Sequence, residues 1–263
     1  MINLDLLKEG GNAIPSSTPV KKEDVAGVVA TAKRELPPAL LKNIQVDIGS
    51  AGYKIESGDI DVMIEANDLV AVFKTQDDKK DPVLAAKKAL ESFFAAKGIE
   101  AKTNGRNVSI GVRYKESSTA AEKIAQVDVM IIQDTALVAP YHQHGTRGMY
   151  SDPNFKGNAI FMLISSVAKS MNMKFDAFGA KLVDRDTGEV YGRSRDDVAK
   201  ILLNPNATGD DLNSVKTIMQ ALRNDPNKDA KLAQAREDEK KGLLTLPESA
   251  NSNWFRQWSN LLK

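Results

Sequence analysis

Three aspartates carry the most specific chemistry in this sequence. Asp59 and Asp61 stand two residues apart in "GDIDVMIEA", and Asp128 stands in "VDVMII", each flanked by aliphatic residues. Side chains alternate between the faces of a strand, so Asp59 and Asp61 point one way while Ile60, Val62 and Ile64 point the other, into a core. Two carboxylates on one face repel unless water or a cation separates them. If the strand of Asp128 neighbours that of Asp59 and Asp61, three carboxylates meet on one sheet face. Such hard oxygen ligands suit Mg²⁺ or Mn²⁺. Two ions roughly 3.5–4 Å apart can clamp an attacking hydroxyl and a leaving pyrophosphate. Asp59 and Asp61 are expected to bridge both ions, and Asp128 to hold the one that activates the hydroxyl and to take its proton.

Upstream lies a Gly-Ser pair, Gly49–Ser50. A triphosphate needs close backbone approach and N–H donors. Gly49 permits the approach, Ser50 adds a hydroxyl, and a helix starting after Ser50 would aim amides at the phosphates. Lys54 adds a positive charge. Taken singly, an Asp-x-Asp strand or a Gly-Ser turn is ordinary. The conjunction of Gly-Ser, Asp-x-Asp in a strand and a later strand with one central acid points to nucleotidyl transfer.

These residues need a scaffold. Val25, Val28 and Val29 predict a helix within "KKEDVAGVVATAKREL", stopped by Pro37–Pro38. "IQVDIGS" reads as a first strand and "DIDVMI" as a second. A helix is expected from Asp81 to Lys97, capped by Asp81, started by Pro82 and ended by Gly98. "NGRNVSIGVRY" reads as a third strand, "KESSTAAEKIAQ" as a loop, and Val127–Ile132 as a fourth strand. The result is an α+β domain with a small mixed sheet and flanking helices.

Beyond it, "FKGNAIFMLISSVAKSM" reads as an apolar helix and "AKLVDRDTGEVYG" as a hairpin. "SRDDVAKILL" reads as a helix with Ser194 and Asp197 forming a capping box, and "GDDLNSVKTIMQALRN" as another helix. "KDAKLAQAREDEKK" reads as a solvated helical face, and Trp254, Trp258 and Leu261 as a terminal helix docked on the core. The expected organisation is an arm over 1–20, a catalytic domain over 21–140, a subdomain over 141–205 and a helical extension over 206–263.

Composition narrows the class. The chain has 263 residues, 42% hydrophobic and 27% charged, which is globular rather than disordered. Without cysteine, disulfide scaffolds and Cys-ligated zinc are excluded, in keeping with a cytoplasmic location. No apolar run approaches the roughly 20 residues of a membrane span, and the first residues do not read as a signal peptide. A net charge of +1 gives no global nucleic-acid signal, although a local basic surface is compatible with it.

"GSAGYKIESGDIDVMI" resembles the signature of the DNA polymerase β superfamily of nucleotidyltransferases, and within it the family X DNA polymerases. Their motif runs Gly-Ser, a basic turn, then Ser-Gly-Asp-hydrophobic-Asp-Val, matched here by Ser57, Gly58, Asp59, Ile60, Asp61 and Val62. "GVRYKESSTAAEKIAQVDVMII" resembles the hairpin that delivers the third carboxylate, Asp128. The segment from Asn158 to Leu203 resembles the family's thumb-like subdomain. The resemblance spans roughly Val20 to Leu203 and implies a nucleotidyltransferase palm followed by a mostly helical, hairpin-containing subdomain. It implies a metal-dependent enzyme that joins a nucleoside monophosphate, from a nucleoside triphosphate, to a 3′-hydroxyl of nucleic acid, DNA rather than RNA, with two Mg²⁺ or Mn²⁺ ions. Gly49, Ser50, Lys54 and Gly58 would bind the nucleotide. An RNA-end or other-acceptor nucleotidyltransferase is the enzymatic alternative, and a non-catalytic binding module of the same fold the other.

The sequence departs from the family in two places. Its Gly-Ser turn has the single cation Lys54 where the family usually has arginines. In "YHQHGT", His142 and His144 replace the expected aromatic-containing sugar-contacting segment, while Gly145 is kept. These residues are candidates for nucleotide or primer contact, with a zinc site or a plain polar loop as alternatives. Arg147 and Lys156 are the nearest cations for a phosphate. The family's deoxyribose-phosphate-removing domain and helix-hairpin-helix module have no recognisable counterpart.

Overall fold

The computed structural model describes residues 13–78, 80–143 and 157–243. The fold is mixed α and β, and the chain divides into two compact units, 1–135 and 136–263.

The first unit begins with a short strand β1 (Val20–Lys21) and helix α1 (Val25–Glu35). A two-residue strand β2 (Glu56–Ser57) pairs with β1 and leads into β3 (Asp59–Glu65). Helices α2 (Ala66–Phe73) and α3 (Pro82–Ala96) follow, then β4 (Ala101–Asn104), β5 (Asn107–Lys115) and β6 (Glu122–Ile132). The sheet order is β3-β6-β5-β4, with β3 parallel to β6 and the other pairs antiparallel. One face is aliphatic: Ile60, Val62 and Ile64 of β3, Val127 and Val129 of β6, and Val108 and Ile110 of β5 are at most 1% exposed. It packs with Val28 of α1, Leu69 of α2, and Leu90 and Phe94 of α3 in one core. The other face carries the polar half of each alternation.

Helix α3 starts and stops as its sequence dictates. Asp81 Oδ1 accepts a hydrogen bond from the Leu84 amide at 2.9 Å, Pro82 occupies the first turn, and Gly98 takes the left-handed conformation (φ 70°) just beyond the end. The reading of "IQVDIGS" as a strand needs correction. It is held to β3 by one bridge, in which Gln45 and Met63 exchange backbone hydrogen bonds of 2.9 and 2.8 Å. Gly49, with φ 71°, then breaks the extended run. The "KESSTAAEKIAQ" loop is shorter than expected, because β6 already begins at Glu122. Helix α2 and strand β4 went unread because each is short, and α2 begins after Glu65 without a side-chain cap.

The second unit comprises α4 (Thr135–His142, whose first residue closes the preceding unit), α5 (Gly157–Ser170), a three-stranded antiparallel sheet of β7 (Met173–Asp176), β8 (Lys181–Asp184) and β9 (Val190–Gly192), and helices α6 (Arg195–Leu202), α7 (Val215–Arg223) and α8 (Lys228–Lys240). Ser194 and Asp197 form the expected capping box at α6. The charged α8 is no simple solvated face. Lys231, Leu232, Ala235 and Asp238 are buried, Lys231 Nζ pairs with Asp225 at 2.7 Å, and Asp238 accepts from Ser166 Oγ of α5 at 2.8 Å. Among the described residues no helix is long and apolar enough to cross a membrane. The Trp254, Trp258 and Leu261 stripe lies outside the described residues.

Candidate functional site

The parallel pairing of β3 with β6 builds the site. Its register sets Asp61 opposite Asp128, and Asp59 opposite Gln126. Register partners share a face, so Asp59, Asp61 and Asp128 project together from the side opposite the core. Across the β5–β6 pairing, Ser109 lies opposite Asp128 and Asn107 opposite Met130, which extends the polar strip. Further along the same face, Met63 and Met130 are buried. Glu65 is committed elsewhere: its Oε1 accepts from the backbone N–H of Thr135 at 2.7 Å and from the Thr135 hydroxyl at 2.6 Å.

The electrostatics of the trio are only partly compensated. Burial, with Asp59 and Asp128 nearby, pushes the Asp61 carboxyl up to about 8. Asp59 is raised as well, first by burial and then by Asp128, while Lys54 and the residue's own backbone N–H pull it down. Lys54 therefore acts on Asp59. Asp128 accepts from Gln126 Nε2 at 2.9 Å on Oδ1 and from Asn107 Nδ2 at 3.4 Å on Oδ2. Ser109 Oγ and Ser57 Oγ are buried without a hydrogen-bond partner among the described residues. Also among these residues, no three His, Asp or Glu side chains are already gathered into a group that holds one ion. The raised Asp61 and Asp59 values record burial first and the repulsion of neighbouring carboxylates second.

Gly49 meets this cluster directly. A Cβ added there would overlap Asp61 Oδ2 and lie 3.4 Å from its Cγ. Glycine is thus required twice, for its left-handed backbone and for the carboxylate beside it. The helix expected after Ser50 is only a turn: the Ser50 carbonyl accepts from Tyr53 N at 3.3 Å and Lys54 N at 3.4 Å, and Gly52 (φ 83°) follows the left-handed path. Gly58 is exposed in the break between β2 and β3. A cavity of about 720 Å³ lies behind the turn, lined by Val25 and Val29 of α1 and by Ala51 and Tyr53. Ile60 lines it too, so it opens on the side of β3 away from the aspartates.

No family model matches this sequence, and neither does any curated protein.

The histidine pair divides. His142 belongs to the second unit and is built into that unit's core, 8% exposed, between the rings of Phe161 (4.8 Å between centroids) and Phe178 (5.3 Å). Its Nε2 lies 3.3 Å from the Ala177 carbonyl, and burial lowers its pKa to about 4, so it is neutral at pH 7. That packing is a structural role. His144, Gly145, Arg147 and Lys156 lie outside the described residues. Sequence reading overlooked Gln126, Asn107 and Ser109. Their signal was the period-two alternation: Gln126 stands two before Asp128, and Asn107 and Ser109 alternate with Val108 and Ile110.

Proposed function

We propose that the chain is a metal-dependent nucleotidyltransferase that transfers a nucleoside monophosphate from a nucleoside triphosphate to a 3′-hydroxyl of a nucleic acid, DNA ahead of RNA. The observation that carries this reading is the parallel register of Asp61 with Asp128, with Asp59 on the same face and Gly49 against Asp61. The donor set fits hard divalent cations, because three carboxylates share one face and the two most strained by burial lack a full counter-charge. Asp59, Asp61 and Asp128 would hold Mg²⁺ or Mn²⁺. When bound, such ions supply Lewis-acid charge that neutralises phosphate oxygens and lowers the pKa of a hydroxyl.

The chain's own groups do the remainder. Asp128 is oriented by Gln126 and accepts the proton of the attacking hydroxyl. The Gly49–Ser50 turn offers unobstructed backbone and a hydroxyl to the triphosphate, and Lys54 adds a charge beside Asp59. Most of the catalysis is positioning and charge neutralisation. The preference for DNA rests on the sequence resemblance of the second unit to a family X thumb.

The test is turnover of labelled nucleotides with Mg²⁺ or Mn²⁺ on separate DNA and RNA primers. Pyrophosphate release is expected, reduced about a hundredfold or more in Asp59→Ala and in Asp128→Ala while folding is retained. Activity like the wild type in both variants would overturn the assignment. Absence of both turnover and nucleotide binding on every acceptor would favour a non-catalytic module.

A further inference from the structure

Gln126 joins the third carboxylate, Asp128, to a segment more than a hundred residues away in the chain. It is 2% exposed and stands opposite Asp59 in the β3–β6 register. Its Oε1 accepts hydrogen bonds from the backbone N–H groups of Ala13 at 3.0 Å and Ile14 at 3.1 Å. Two backbone donors fix which end of the amide is oxygen, so its Nε2 must face Asp128 Oδ1, 2.9 Å away. The other holder of Asp128, Asn107, is longer at 3.4 Å. Merely fastening the N-terminal segment would need only the acceptor oxygen. The donor aimed at Asp128 is the additional feature.

The segment itself is well seated. Ile14 is 1% exposed and lies over Gly111, the register partner of Gln126 on β5. A Cβ at Gly111 would come within 3.2 Å of Ile14 Cγ2, so the glycine makes the seat. Ser17 N and Oγ close back onto the Ile14 carbonyl at 3.0 and 2.8 Å, and Thr18 N donates to the Ile124 carbonyl at 2.8 Å. Ser16 Oγ donates to Glu100 at 2.5 Å.

We propose that the Ala13–Thr18 segment is a working part of the carboxylate site, and that Gln126 is the positioning residue coupling its seating to the orientation of Asp128. With Oδ1 held by Gln126, Asp128 presents Oδ2 for work. Coupling of this kind is reciprocal: what loosens Asp128 loosens the segment, and what unseats the segment frees Asp128. The catalytic consequence rests on the nucleotidyltransferase reading, whereas the coupling does not.

The test therefore has a metal-free arm. Amide hydrogen exchange at Ala13 and Ile14 is followed by NMR in the full chain, in the wild type, Asp128→Ala and Asp59→Ala. Asp128→Ala is expected to speed exchange about three- to tenfold, the range of an ordinary hydrogen bond, and Asp59→Ala to leave it within about twofold. In the second arm, Mn²⁺ affinity is measured by titration calorimetry in Gln126→Met, which keeps the shape, and in Ala13→Pro, which deletes one donor outside the carboxylate cluster. Affinity is expected to fall about tenfold in the first and about threefold in the second, with both proteins folded. Unchanged exchange in Asp128→Ala overturns the coupling, and so does wild-type Mn²⁺ affinity in both folded variants. Should the wild type bind no Mn²⁺, the nucleotidyltransferase reading fails, and the exchange arm alone decides the coupling.

Discussion

Replacing Asp61 by Asn separates the cost of this site from its use. Asn has nearly the same shape, so the contact with Gly49 is kept while the ionisable carboxyl is lost. In the folded, metal-free protein Asp61 titrates near 8 instead of 3.8, so it keeps a proton that the unfolded chain releases. The folded state then binds more protons between those limits, and stability falls as pH rises through that window, by about 1.4 kcal/mol per pH unit at most. Above about pH 8 the loss levels off. At pH 7 the accumulated cost is on the order of 4 kcal/mol by the same linkage. Asp61→Asn carries none of it and is expected to be more stable in EDTA by up to that amount, on the order of ten degrees in melting temperature. Calorimetry from pH 5 to 9 in EDTA should show a downward slope for the wild type that is much shallower in the variant. Added Mg²⁺ should raise the wild-type melting temperature more at pH 8 than at pH 5.5, should scarcely change the variant, and should fail to restore pyrophosphate release in it. A variant no more stable than the wild type at pH 7, with an unchanged pH slope, would refute the claim that Asp61 is held at a cost.

Three further substitutions probe the supports. Gly49→Ala forces a left-handed alanine, at about 1–2 kcal/mol, and adds the overlap with Asp61. Gly105→Ala (φ 54°, open space around the Cβ) meets only the backbone penalty, so urea unfolding should rank Gly49→Ala as clearly the more damaging. His142→Phe keeps a ring between Phe161 and Phe178 and should change stability by less than about 1.5 kcal/mol at pH 7, with turnover retained. Because the His142 pKa is lowered in the fold, the wild type loses stability as pH falls from about 6.5 towards 4, and chemical denaturation should show that part of the acid loss missing in His142→Phe.

The alternation around Asp59, Asp61 and Asp128 announced the acidic face, since a strand leaves its polar residues only one place to go. Local capping chemistry was equally legible: Asp81, Ser194 and Asp197 act within a few residues of themselves. Long-range choice was not. Ile44, Val46 and Ile48 alternate as a strand should, yet β6 takes one side of β3 and only Gln45 bonds to the other. Propensity describes a segment but not its neighbour. Gln126 looked inert because its partners, Ala13 and Ile14, are remote in sequence. His142 looked polar, but a neutral imidazole between two phenyl rings is an aromatic core residue. In α8, the charges of Lys231 and Asp238 hid the fact that partners on other segments would cover them.

The sheet order also fixes when this site can come into being. Strands β4, β5 and β6 are joined by short turns and can pair as soon as they are made. Strand β3 is made earlier but must wait while α2, α3 and the β4–β5 hairpin are laid down, because its partner is β6. The sheet's one pairing across intervening elements is thus the one that brings like charges together. Closing the fold and charging the site are one event, and a bound cation that favours the carboxylate trio also favours completion of the chain's architecture.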